Sequence, residues 1–478
     1  MAAVGIGLLP SWLHPQPILA DALAPELHVL NRLTWGIRTA DVAQIQALGM
    51  EGYIDWQLNA SAIADSAVDD FVASRRLLTM SAAELMPLAG DQYGVVLKTM
   101  LWARLYRAIF SERQLFERMV EFWTDHFNVP IGDYLAEKII EDRDVVRRYA
   151  LGRFRDLLFA SAQSPAILLY LDNAVSSKDH PNENYARELM ELHTLGVDGG
   201  YTEQDVVEVA RAFTGWGVRG GEFFFDINQH DMDEKIILGV TLPAGRGIED
   251  GLQVLDMLAT HPSTAGYIGY KLCRRFISDT PPDSILTSTA AVFTQTDGDL
   301  RQVMRHIFMS SEFMQSGGQK FRRPMEMLVA MIRALHPAVG VSDSDTFIYA
   351  LEAPGHLPFF WHPPNGYPDV AGAWMNTNSL LSRWNMALNL GLAGDGYFDG
   401  ISLNLNALIP SVATAVELVD AALVYFPAIT LSDSDRELLI ASISRDGNAQ
   451  QPVTDDVRAT KLPVLLGLLL SHPAFQWA

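Results

Sequence analysis

His180-Pro181-Asn182-Glu183-Asn184-Tyr185-Ala186-Arg187-Glu188-Leu189-Met190-Glu191-Leu192-His193-Thr194-Leu195-Gly196 is the stretch that decides the fold class. Pro181 suits the first turn of a helix, where its missing N–H would be unpaired in any case. Asn182, Glu183 and Asn184 follow, and accepting or negative groups are favourable at that end. Tyr185, Leu189, Leu192 and Leu195 recur at helical spacing and should face a core. Gly196 can end the helix in the left-handed conformation that a side chain disfavours. Beyond Gly199-Gly200, Thr202 with Asp205 reads as the cap of a second helix with Val206, Val209, Ala210 and Phe213 on its apolar face. The spacing predicts a helical hairpin over 180–216.

Working outward, helical periodicity dominates on both sides. The expected fold is mainly α, a large multi-helix domain over 28–478 with one small β-hairpin insertion at 217–242. Glu222 to Ile227 and Lys235 to Leu238 carry the β-branched and aromatic runs of two strands. Residues 354–375 read as a loop rich in Pro, Gly and aromatics, and a long ordered loop of that kind is usually functional. Residues 1–27 read as an N-terminal extension, unstructured or the remnant of a leader. No Lys or Arg precedes Arg32, so a signal peptide's positive region is missing, although Ala22-Leu23-Ala24 would serve for cleavage. The expectation is a cytoplasmic protein as the sequence stands, and a periplasmic or exported one if the start clips a longer leader.

Composition narrows the partners. The 478 residues are 49% hydrophobic and carry a formal net charge of −22. Such an acidic chain argues against non-specific nucleic-acid binding, which needs cationic contacts to phosphate. No apolar run reaches the roughly 20 residues of a transmembrane helix. Cys273 is the only cysteine, which excludes an intrachain disulfide and thiolate metal clusters. Phosphate-loop, dinucleotide, nucleophile-elbow and His-Glu-x-x-His signatures are absent.

The candidate site is centred on the hairpin. Glu183, Arg187 and Glu191 lie four apart on one stripe, with Asn184 and Glu188 beside it. The stripe reads either as a solvated face with helix pairs of about 0.2–0.5 kcal/mol each or as a buried carboxylate–amide–guanidinium cluster, since charges enclosed by apolar neighbours must be paired. The density of polar groups there predicts that Glu183, Arg187 and Glu188 are buried and mutually paired. His230 and Asp231 follow Trp216 closely enough for the β-hairpin to fold back over Glu183 and Glu188. Asp125 and His126, on an aromatic helix, are expected nearby. Glu183, Glu188, Arg187, His230 and Asp231 are therefore the candidate catalytic residues. Asn182, Asn184, His126, Asp125, Trp216, Trp361, His362, Tyr367 and Trp374 are the candidate ligand contacts. A divalent metal is a possible cofactor, with His126, His230, Asp231 and Glu183 as its candidate ligands. For the aromatic loop, a pocket wall that stacks on a ligand and a rigid clamp on the core both stand open.

Pro181 to Leu189, Thr194-Leu195-Gly196-Val197, Gly199-Gly200-Tyr201-Thr202 and Ala210 to Trp216 together resemble a bacterial family called domain of unknown function 1800. Asn31 to Gly36, Tyr170-Leu171-Asp172-Asn173 and Pro363-Pro364-Asn365-Gly366-Tyr367-Pro368 resemble it too. The resemblance runs from about His28 onward. It implies a protein often exported, and often neighbouring a family called domain of unknown function 1501, which looks like the alkaline phosphatase and sulfatase folds. The expected function is a pocket-bearing binding or accessory protein of the bacterial cell envelope. A metal-assisted or carboxylate-based hydrolase is the alternative, and a structural assembly protein the third reading.

Overall fold

A computed structural model describes residues 23–336, 339–393, 398–445 and 447–478. Residues 1–22, most of the expected N-terminal extension and the first residue of its candidate cleavage site, lie outside the described residues. Helices dominate from Pro25–Leu33 to Pro473–Gln476, and three two-stranded sheets complete the described secondary structure. Among the described residues no helix is long and apolar enough to cross a membrane.

The central hairpin forms for the local reasons its sequence carries. Asn182 caps the Glu183–Glu191 helix by accepting the Tyr185 N–H at 3.0 Å. Thr202 and Asp205 form a reciprocal capping box on the Glu203–Ala212 helix. Gly196 takes φ of +82° as expected, but the helix stops at Glu191, earlier than that glycine. The turn between them has its own bonds: Leu195 N–H to the Met190 carbonyl at 2.7 Å, and Thr194 Oγ1 to the Leu189 carbonyl at 2.7 Å. The early stop takes His193 out of the helical ladder.

The β region departs from the single hairpin predicted. Glu222–Phe225 (β2) pairs backward with Trp216–Arg219 (β1), and Lys235–Ile237 (β3) pairs forward with Val240–Leu242 (β4). The turns explain it. Gly220-Gly221 and Leu238-Gly239 both have positive φ at two successive residues, the geometry of a tight two-residue hairpin. His230 to Asp233 is thus a connection between two hairpins. A third pair, Val339–Val341 with Ile401–Leu403, was not expected.

The interior divides into two large apolar clusters. One is built by Leu30, Trp123, Leu189, Phe213, Leu272 and their neighbours. The other is built by Trp35, Leu105, Leu328, Leu390, Leu466 and theirs, and the C-terminal helices contribute to it. The Gln114–His126 and Pro262–Phe276 helices belong to the first cluster, and the Pro324–Ala334 helix to the second. Phe321, Tyr367 and Trp374 form a small third cluster.

The aromatic loop closes over this junction. Asn128 Nδ2 donates to the Trp361 and Pro363 carbonyls at 2.7 and 2.8 Å. Gly366, at φ +72°, packs so tightly that a Cβ there would sit 2.1 Å from the Asp125 carbonyl oxygen. Backbone against backbone cannot relax cheaply. Gly366→Ala is expected to cost about 1–3 kcal/mol and to open the loop to limited proteolysis. An unchanged denaturation midpoint and cleavage pattern would show that the loop is not seated on Asp125.

Candidate ligand-binding site

The Gln114–His126 helix, the Pro262–Phe276 helix and the aromatic loop enclose a cavity of about 280 Å³. That is near the lower end of ligand pockets, roughly 300–1,000 Å³. Phe122, Asp125 and His126 come from the first helix. Tyr267, Tyr270, Lys271 and Arg274 come from the second. Tyr367 and Asp369 come from the loop.

A lysine–histidine contact lies in the wall. Lys271 Nζ is 2.8 Å from His126 Nδ1, and His126 Nε2 is 3.0 Å from the His193 carbonyl oxygen. A carbonyl only accepts, so Nε2 carries the proton and Nδ1 accepts an N–H from Lys271. The His193 carbonyl lies past the end of the Glu183–Glu191 helix, outside its hydrogen-bond ladder. Burial, with Lys271 and His193 adding to it, pushes the His126 pKa well below 6.5, so the ring is neutral. Burial also lowers Lys271 to about 8, against the pull of Asp125 and Asp369 and with help from Arg274.

A buried ion network runs through the wall, where Arg275 and Arg323 also line the cavity, and on behind it. Arg323 donates to Glu121 and, at 2.6 Å, to Asp125. Arg275 pairs with Glu326 at 2.6 Å and Asp369 at 3.3 Å. Arg118 approaches Glu326 at 3.6 Å, and Lys320 holds Asp279 at 2.7 Å and Asp369 at 3.6 Å. Burial opposes ionisation of Glu326, but Arg275, Arg118 and Arg323 outweigh it and hold its pKa well below the usual range. Asp369 falls to about 2, where Lys320 and Arg275 overcome the same burial cost. At Glu121 burial wins over Arg323 and Arg275, and its pKa rises.

These pairings leave two cations over. Among the described residues, Lys271 and Arg274 form no ion pair with a carboxylate. Arg274 donates to the Tyr270 hydroxyl at 3.2 Å, and its buried Nε has no partner. In a chain of net charge −22, the cavity is a cationic exception.

The sequence-derived candidates divide sharply. His126, Asp125 and Tyr367 line the cavity. Trp374 and Trp361 pack against Tyr367 from behind, while His362 is exposed. The loop is therefore both clamp and wall. The buried polar stripe is corrected. Glu183 and Asn184 are exposed, and Arg187 turns to Glu203 on the neighbouring helix at 2.7 Å. Glu188 is half-buried, and burial followed by Glu191 raises its pKa. Solvent at Glu183 and the Glu203 carboxylate at Arg187, not pairing within the stripe, satisfy these charges. Asn182 serves as the cap and donates to the Leu171 carbonyl at 2.9 Å.

His230 and Asp231 do not join Glu183 or Glu188. His230 is buried, with Nδ1 2.8 Å from the Thr214 carbonyl oxygen and Nε2 3.4 Å from Asp250. Asp231 takes both ends of Arg211, at 2.8 and 3.1 Å. Lys235 reaches Asp250 at 2.9 Å and the Asp231 carbonyl at 2.6 Å. This second cluster pins the connection between the two β-hairpins to the Glu249–Thr260 helix, which carries Asp250. Trp216 is wholly buried against Phe213 and Phe223. The proposed metal set of His126, His230, Asp231 and Glu183 therefore does not converge. Among the described residues no group of three or more His, Cys, Asp or Glu is placed to hold a metal ion.

Sequence reasoning missed Lys271, Arg274, Arg275, Arg323, Glu326 and Asp369. One signal was present. Tyr267, Tyr270, Lys271 and Arg274 recur at helical spacing opposite the buried face of Ile268, Leu272 and Phe276.

Removing one partner of a buried pair strands the other. Arg323→Met is expected to cost about 3–5 kcal/mol, whereas Arg187→Ala, breaking a surface pair, should cost under about 1 kcal/mol. Denaturant unfolding of both variants checks this, and equal losses would contradict the assignment of Arg323 to a buried network and Arg187 to the surface.

Residues 28–477 match the family described as protein of unknown function (DUF1800). No curated protein and no solved structure matches the chain. The match agrees with the resemblance carried by the central hairpin and spans almost the whole chain. The chain belongs to the DUF1800 family of proteins of unknown function.

Proposed function

We propose that this chain binds a small organic anion, a carboxylate or a phosphate or sulfate ester, in the cavity between His126, Lys271 and Tyr367. The observation that carries the reading is the pair of unmatched cations, Lys271 and Arg274, in the wall of a cavity whose other charges are paired. A half-buried cation without a counterion is partly desolvated at a cost, and an anionic ligand that supplies one recovers that cost on binding. Arg274 offers a planar fork suited to carboxylate or phosphate. Tyr267, Tyr270 and Tyr367 give apolar ring faces for the rest of the ligand.

The setting we infer is that of a binding or accessory protein of the bacterial cell envelope. A protein of the domain of unknown function 1501 family is the inferred partner. The support is the resemblance drawn from the sequence, together with one chemical agreement. A partner resembling phosphatases and sulfatases would handle the same class of anion that this cavity suits.

Isothermal titration of the purified protein with malate, citrate and glycerol phosphate tests the reading. One-to-one binding of at least one of them is expected, weakened about 10- to 100-fold by Arg274→Gln and unaffected by Arg187→Ala. No binding by any of the three, or binding indifferent to both Arg274→Gln and Lys271→Met, would remove the anion-site reading.

A further inference from the structure

We propose that Lys271 forms an imine with the carbonyl group of a small oxo acid held in this cavity, with Arg274 gripping the carboxylate. The inference rests on the anion-site reading and narrows its ligand to one with a carbonyl carbon within reach of Lys271.

Lys271 differs from the other lysines of the chain in what surrounds it. Lys98, Lys138, Lys235 and Lys320 are each held by a carboxylate. Lys178 and Lys461 are exposed to solvent. Lys271 alone contacts a neutral acceptor in a cavity wall, His126 Nδ1 at 2.8 Å. That contact uses one N–H and is also open to the neutral amine, which keeps its lone pair for a bound electrophile. A burial-lowered pKa of about 8 leaves a useful fraction of the amine neutral near physiological pH. His126 is a positioning residue here. Its tautomer, fixed by the His193 carbonyl, makes Nδ1 an acceptor and aims the amine.

Arg274 follows Lys271 by three residues in one helix, which places the two groups on one face about 5 Å apart at their Cβ atoms. That separation suits a carboxylate bound at the guanidinium with its neighbouring carbonyl carbon at the amine.

The chemistry balances without a further reagent. The Lys271 lone pair forms the C–N bond while the carbonyl π pair moves to oxygen. The two protons of the amine pass to that oxygen, the C–O bond breaks, and water leaves. The product is the imine, with no net oxidation or reduction. An amine condensed in this way makes the adjacent carbon acidic, so the enzymatic outcomes open to such a site are carbon–carbon bond cleavage, decarboxylation or dehydration of an oxo acid.

The test traps the imine. The intact protein is incubated with pyruvate and sodium cyanoborohydride, and separately with propanal as a neutral carbonyl. Reduced adducts are mapped by peptide mass spectrometry, with calorimetry of pyruvate binding in parallel. Lys271 is expected to be labelled by pyruvate about tenfold faster than Lys178 and Lys461. Arg274→Gln should lower pyruvate labelling about tenfold, the loss of one charged hydrogen bond, and lower propanal labelling far less. Lys271→Arg, checked for folding by circular dichroism, should lose the fast-forming adduct and keep the slow labelling of Lys178 and Lys461.

If pyruvate binds by calorimetry but Lys271 is trapped no faster than the exposed lysines, the imine proposal is overturned while the anion site stands. Propanal labelling of Lys271 without pyruvate binding or labelling would overturn the oxo-acid ligand and the anion site together, leaving only a reactive amine. Labelling that spares Lys271 in both arms rejects the proposal outright.

Discussion

The structure depends on a seam of charge buried between two apolar clusters. Glu121 and Asp125 sit on a helix of the first cluster, Arg323 and Glu326 at the start of a helix of the second, and Arg275 on another helix of the first. Arg323 bridges the clusters through Glu121 and Asp125, and Arg275 bridges them again through Glu326. Two hydrophobic faces alone could slide, because apolar contact is not directional. Guanidinium forks meeting carboxylates at fixed geometry do not slide. Desolvation makes such pairs a weak source of net stability. Here their effect is to fix how the two halves meet.

The cavity is a by-product of that docking. Asp125 is held from inside by Arg323, while its backbone bears Gly366 of the aromatic loop. His126, the next residue, is held by the His193 carbonyl. Asp369 pins the loop's far end to Arg275 and Lys320. Every wall is thus tied to the seam or the central hairpin, and only Lys271 and Arg274 enter it without a carboxylate partner. Rigid walls around unspent cations are the arrangement expected of a preorganised anion site, which needs no reorganisation when the ligand arrives.

Much of the fold was legible because its causes are local. The Thr202–Asp205 capping box, the Asn182 cap and the glycines near the hairpin act within a few residues, and helical periodicity carried the fold class. The site was legible only in part. Asp125, His126 and Tyr367 stood out for their neighbours in sequence, and they do line the cavity. Arg323 meets Asp125 across almost two hundred positions, and no local pattern shows such a pairing. The same limit explains the errors. His230 and Asp231 lie beside each other and suggest a site, but Asp250, Arg211 and Lys235 had already engaged them. Arg187 has two carboxylates at helical spacing and uses neither, because Glu203 on the next helix is better placed. The Lys271 stripe looked like any amphipathic helix, and only the loop opposite makes it a wall.

The central claim is that Lys271 sits in a low-dielectric wall with a neutral histidine for a partner and no carboxylate. Its titration reports this directly. Competitive acetylation with trace acetic anhydride across pH, followed at each lysine by peptide mass spectrometry, gives the midpoint of Lys271 in the folded protein. A midpoint near 8 is expected, below the ordinary lysine value of 10.5. A midpoint at or above 10.5 would mean that a carboxylate or solvent stabilises the ammonium, which contradicts the cavity as described.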